Sequence, residues 1–109
     1  MILLTGGAYQ GKTDYAEKYI QEGYEVINHY HQKVREQLQA GLDPMQEAEV
    51  LLRQKDRLLI ISDEVGCGLV PMDAFEREWR EAAGRVNCYL AKNAEQVIRV
   101  ICGIGTRIK

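Results

Sequence analysis

The sequence lacks the marks of several special classes of protein. It has no apolar run approaching the ~18–20 residues of a membrane span, so no span is expected. Its three cysteines, Cys67, Cys88 and Cys102, stand 21 and 14 residues apart. An odd count without close pairs argues against a disulfide framework or a zinc knuckle, and free thiols in a reducing compartment are expected. Charge of one sign is also missing: 14 Lys and Arg face 16 Asp and Glu, a net −2. Such a chain has no overall pull on nucleic acid or an anionic membrane, which leaves room only for a local basic pocket. Met1 leads into an apolar segment with no basic stretch before it, so no signal peptide is expected and the expected location is cytoplasmic.

What is present has a globular balance: 46% hydrophobic and 28% charged residues. The length, 109 residues, suits one compact domain over residues 1–109. No internal repeat, low-complexity segment or linker is evident. Strands are expected at Ile2–Leu4, Tyr24–Ile27, Leu58–Ile61 and Val97–Cys102, with a short final one at Thr106–Lys109. Leu58–Ile61 is wholly apolar, as in a strand covered on both faces.

Between the strands, Tyr15, Ala16, Tyr19 and Ile20 mark a helix over Lys12–Glu22, stopped by Gly23. Asn28 is a candidate cap for a helix with stripe Tyr30, Val34 and Leu38, ended by Gly41. Asp43-Pro44, with Gln46 at the capping-box position, starts another. The longest helix begins at Asp73, with Glu76 as capping-box partner and a stripe of Phe75, Trp79, Ala82, Ala83, Val86 and Leu90. Gly84 inside it costs about 1 kcal/mol relative to Ala, so close packing or a ligand is expected there. Asp63 to Pro71 reads as a loop. Alternating strands and helices imply an α/β three-layer sandwich with a small, mainly parallel sheet.

The sharpest signal is Gly6-Gly7-Ala8-Tyr9-Gln10-Gly11-Lys12-Thr13, a full match to G-x-x-x-x-G-K-[ST] between a strand and a helix. The glycines let successive N–H groups converge on a phosphate, and the helix N-terminus adds partial positive charge. Lys12 reaches the β and γ phosphates of ATP or GTP, and Thr13 offers its hydroxyl to Mg²⁺. The fold expected is thus P-loop NTPase-like. Tyr9 lies inside the loop, where its ring is a candidate contact for nucleotide or substrate.

Asp63 and Glu64 follow the buried strand directly. Asp63 is the candidate Mg²⁺ partner, and Glu64 the candidate to orient or deprotonate the attacking group. His29 and His31, the only histidines, follow the second strand. They are candidates for a nucleophilic imidazole or a metal pair, or are bystanders near a helix start. Arg77, Arg80 and Arg85, interleaved with Glu76, Glu78 and Glu81, read as a solvated helix face.

Four segments together resemble the adenosylcobinamide kinase / adenosylcobinamide-phosphate guanylyltransferase family of cobalamin assembly. They are Met1 to Ala8 running into the phosphate loop, Asp63-Glu64-Val65-Gly66-Cys67-Gly68-Leu69-Val70-Pro71, Ala83 to Asn87 followed by Leu90-Ala91, and Gly103 to Lys109. The second is close to that family's Asn-Glu-Val-Gly-x-Gly-x-Val-Pro. The resemblance covers the first 20 or so residues and nearly everything after Leu58. It implies triphosphate binding by Gly6 to Thr13, metal and acceptor roles for Asp63 and Glu64, and a loop beside the site from Val65 to Pro71.

The family phosphorylates the aminopropanol hydroxyl of adenosylcobinamide, then transfers GMP from GTP through a guanylylated histidine. Self-association into a homo-oligomer is implied as well. The chain is shorter than the family norm, and the difference lies between Ile27 and Leu58. Tyr9-Gln10 stands where the family has Arg-Ser, and Asp63 where it has Asn. If guanylyl transfer is kept, His31 is the favoured nucleophile, because an Asn28 cap puts it in a first helical turn. Residues two apart project to different sides of a strand or helix, so at most one histidine is expected to face the phosphates. The alternatives to a cobinamide kinase are a nucleotide-binding regulatory or assembly module without turnover, and a small-metabolite kinase of other specificity.

Overall fold

A computed structural model describes residues 1–65 and 73–109. In chain order its elements are β1 (Ile2–Gly6), α1 (Lys12–Gln21), β2 (Glu25–Ile27), α2 (Tyr30–Gln39), α3 (Pro44–Gln54), β3 (Leu58–Asp63), α4 (Ala74–Asn93), β4 (Gln96–Ile101) and β5 (Ile104–Arg107). The strands form one sheet in the order β2-β3-β1-β4-β5. β3 pairs parallel with β2 and β1, β1 pairs parallel with β4, and β4 pairs antiparallel with β5.

Strand order decides where the helices lie. A crossover between parallel strands is right-handed, so the direction of travel selects the face its helix covers. From β1 the chain passes β3 to reach β2. From β2 to β3, and from β3 past β1 to β4, it travels the opposite way. α1 therefore covers one face, and α2, α3 and α4 the other.

Side chains sort accordingly with period two along each strand. Leu3, Leu58, Ile60 and Val97 pack against Tyr30, Val34, Ala48, Val86 and Leu90. Ile2, Leu4, Leu59, Ile61, Ile98 and Val100 pack against Ala16 and Tyr19. Each large aliphatic side chain so buried contributes about 1.5–3 kcal/mol relative to exposure. The three-layer sandwich and mainly parallel sheet agree with the expectation from sequence.

Several local expectations need correction. β3 runs on through Ser62 to Asp63 instead of ending at Ile61. Ser62 is buried because its hydroxyl donates to Asn87 Oδ1 of α4 at 2.8 Å, which satisfies the polar group inside the core. The loop expected from Asp63 thus starts later, and its residues 66–71, Cys67 among them, lie outside the described residues. β5 begins at Ile104, ahead of the expected Thr106, so Gly105 lies within the strand. A Cβ there would stand 2.3 Å from Tyr15 Cζ, so glycine is what lets the Tyr15 ring lie on β5.

The caps follow the same mixed pattern. Asp43 accepts from Met45 N, and Asp73 from the amides of Phe75 and Glu76, as expected for N-caps. Glu76 departs from the capping-box reading, because its carboxylate pairs with Arg35 of α2. Asn28 does not cap α2. The N-cap is His29, in the left-handed region at φ 53°, and the Asn28 carboxamide is spent elsewhere. Gly84 has no packing reason within the described residues, because a Cβ there would meet nothing within 4 Å. Cys88 and Cys102 are free and exposed. Among the described residues no helix is long and apolar enough to cross a membrane.

Candidate active site

β1 and β3 are neighbours whose chains leave toward opposite faces, β1 into α1 and β3 toward α4. In an open α/β sheet such a switch point leaves a crevice at the strands' carboxyl ends, where ligands bind. Gly6 closes β1 and Asp63 closes β3 in register with it. The loop from Gly7 to Gly11 curls over this crevice and enters α1 with Gly11 at φ 85°, a left-handed conformation suited to glycine. A cavity of about 630 Å³ opens there, walled by Ala8 to Asp14, Asn28, His29, His31, Gln32, Ile61 and Asp63.

Lys12 is buried at 6% exposure, and a buried cation needs partners. Its ammonium donates to the Gly7 carbonyl and stands 2.8 Å from Asp63 Oδ1. Asp63 is also tied to His31, whose Nδ1 accepts from the Asp63 amide at 3.1 Å while Nε2 lies 3.5 Å from Oδ2. An Nδ1 that accepts carries no proton, so this network assigns the proton of the neutral ring to Nε2, facing the carboxylate.

Burial holds the His31 pKa below its ordinary value. The Asp63 carboxylate opposes that shift, and His29 and Lys12 add to it. Trp79 secures His31 from behind, its indole N–H donating to the His31 carbonyl at 2.8 Å. The Arg35 guanidinium in turn lies 5.0 Å from the Trp79 ring.

The second side of the cavity is built from the β2–α2 junction. Asn28 Oδ1 accepts from His29 N at 2.8 Å, which turns Nδ2 toward Thr13 Oγ1 at 3.2 Å. The carboxamide thus ties this junction to the phosphate loop. His29 and His31 both line the cavity, with ring centroids 5.9 Å apart. The premise that strand or helix period would separate the pair does not hold. His29 sits at a left-handed junction outside strand and helix, so neither period governs the pair. His31 is buried and His29 exposed.

Glu64 stands apart from this cluster. Its amide donates to the Gly6 carbonyl at 2.8 Å, but its carboxylate is gripped by Arg99 of β4 at 3.0 and 3.1 Å. Tyr9 is fully exposed at the loop tip, with φ 61°. Gln10, which also borders the cavity, meets the β4–β5 turn: its Oε1 accepts from Cys102 N at 2.7 Å and its carbonyl from Gly103 N at 2.8 Å.

Asn28, Trp79 and Arg99 join the site without a functional pattern in the sequence to mark them. Arg99 had a visible signal, a cation interrupting an otherwise apolar strand near its carboxyl end. Asn28 and Trp79 had ordinary readings as cap and core. Among the described residues no cluster of three or more His, Cys, Asp or Glu forms a metal cage. The oxygens suited to Mg²⁺ are the Thr13 hydroxyl and the Asp63 carboxylate, a sparse hard-oxygen set that fits a cation completing its shell with phosphate and water.

A glycine-rich strand-to-helix loop at the switch point of a parallel sheet, with an acidic residue closing the adjacent strand, defines a P-loop NTPase-like protein. Residues 25–108 match the family described as cobinamide kinase / cobinamide phosphate guanyltransferase, and the chain belongs to that family. It is 43% identical over 53 residues to the bifunctional adenosylcobalamin biosynthesis protein CobU of Salmonella typhimurium, and equally to that of Escherichia coli. The aligned stretch takes in 49% of this chain but only 29% of each relative's length. The phosphate loop lies ahead of the family match and rests on its own motif and geometry.

Proposed function

We propose that the chain binds Mg²⁺ with ATP or GTP at the phosphate loop and transfers a phosphoryl group to the hydroxyl of adenosylcobinamide or a closely related small molecule. The observation that carries this reading is Lys12 facing Asp63 at 2.8 Å across the carboxyl ends of β1 and β3, beneath the loop. Lys12 would exchange its Gly7 carbonyl for phosphate oxygens. Thr13 and Asp63 would hold Mg²⁺, which supplies charge neutralisation on the phosphates when bound. In the transfer an acceptor oxygen bonds to the γ phosphorus, the bond to the β-phosphate oxygen breaks, and the hydroxyl proton passes to a carboxylate. Glu64, at the rim of β3, is the proposed acceptor-side group.

The family name also carries guanylyl transfer. For that step an imidazole nitrogen attacks the α phosphorus, pyrophosphate leaves, and a phosphate oxygen on the acceptor then displaces the imidazole. Sequence favoured His31. Both His31 nitrogens meet Asp63, which supports assigning the role to His29, exposed and lining the cavity, in its place. The small sheet and the exposed Ile101, Ile104 and Ile108 favour a homo-oligomer. A cytoplasmic location suits a triphosphate-consuming reaction.

The competing reading is a nucleotide-binding module without turnover, in which Glu64 only pairs with Arg99. Incubation with Mg²⁺, α- or γ-labelled GTP and adenosylcobinamide separates these readings. Label moving from the γ position to the acceptor supports the kinase. Label on protein from the α position supports guanylyl transfer, and binding without either supports the module.

A further inference from the structure

We propose that Gln10 is a positioning residue of the phosphate loop, and that it works by fastening the loop to the β4–β5 turn. This rests on the triphosphate-binding reading above. Two contacts carry it. The Gln10 side-chain oxygen accepts from Cys102 N at 2.7 Å, and the Gln10 main-chain oxygen accepts from Gly103 N at 2.8 Å. Both amides of one turn are spent on one loop residue from the far end of the chain.

The geometry has a consequence for anion binding. Peptide bonds here are trans, so the N–H that follows a carbonyl points the opposite way. Holding the Gln10 carbonyl on the turn aims the Gly11 N–H away from it. A phosphate loop works only when its amides converge on one point, and a loop held so beforehand loses less ordering entropy on binding. The fit is close, because a Cβ on Gly11 would stand 3.1 Å from Gly103 Cα. The turn is itself braced, since Tyr15 of α1 packs over Gly105.

Gln10 suits this task better than a short polar residue, because its side chain spans the gap to Cys102. Half-buried and bonded to the turn, it is placed to act through the loop's shape, at the border of the cavity.

The test compares the wild-type chain with Gln10→Met, which keeps the length and loses the acceptor, and Gln10→Glu, which keeps an acceptor oxygen. The readouts are calorimetric affinity for inorganic tripolyphosphate with Mg²⁺, ligand-free melting temperature, and hydrogen exchange at the Cys102 amide. Gln10→Met is expected to weaken binding about threefold or more, to speed exchange at Cys102, and to lower the ligand-free melting temperature by no more than about 4–8 °C, the scale of one lost hydrogen bond. Gln10→Glu is expected to keep the slow exchange. Should Gln10→Met fold poorly, Gln10→Asn, one methylene too short, takes its place. Wild-type affinity in Gln10→Met or its substitute would overturn the proposal. An inert wild type would instead overturn the triphosphate-binding reading beneath it.

Discussion

The Lys12 ammonium and the Asp63 carboxylate, 2.8 Å apart, close the crevice between β1 and β3 from its two sides. Neither is free to water, at 6% and 18% exposure, so each charge depends on the other. Asp63→Asn weakens the attraction and leaves a buried cation short of a partner. A loss of about 1–3 kcal/mol in stability is expected, together with a raised Mg²⁺ requirement for triphosphate binding. Urea melts and Mg²⁺ titrations measure the two effects separately.

His31 should make stability depend on pH. Burial holds its folded-state pKa below the ordinary value of 6.5. The unfolded chain therefore binds the proton more readily, and stability rises with pH across the interval between the two values. The contribution is complete above about 6.5 and is lost as the pH falls toward the folded value. His31→Gln should flatten that slope, as read from urea midpoints at several pH values.

Two glycines should respond in opposite ways to the same substitution. Gly84→Ala meets open space on a helix and should stabilise by about 0.5–1 kcal/mol. Gly105→Ala forces a methyl group into the Tyr15 ring and should cost about 1–3 kcal/mol. Melting temperatures of the two variants give the comparison directly.

Much of the frame was readable because it rests on local patterns. The unbroken Leu58–Ile61 run required burial on both faces, and the glycine-rich loop announced its strand and helix. Asp43 and Asp73 cap as short-range rules dictate. The rest depends on strand order, which sequence period does not encode. Glu64 and Arg99 meet because β3, β1 and β4 lie side by side, and Gln10 meets Cys102 because β5 folds back beside β4. Asn28 escapes the local pattern for a different reason: one carboxamide can cap a helix or bridge to Thr13, and the left-handed turn at His29 selects the bridge.

Glu64 should differ from Lys12 in its effect. Glu64→Gln is expected to leave triphosphate affinity nearly intact, since Glu64 lies outside the cavity wall, and to slow transfer to adenosylcobinamide by tenfold or more, on the order of general-base contributions. Arg99→Met should change the rate without changing triphosphate affinity. Single-turnover transfer beside calorimetry separates the two, and an unaltered rate in Glu64→Gln would leave that residue a structural role only.

The most direct measurement is calorimetric titration of GTP with Mg²⁺ into the wild-type chain and into Lys12→Ala. Lys12 is the buried cation of the loop, and its charged hydrogen bonds are worth about 1.5–3 kcal/mol, so a loss of roughly tenfold or more in affinity is expected. Equal affinity in the two proteins would contradict the assignment of this crevice as a triphosphate site.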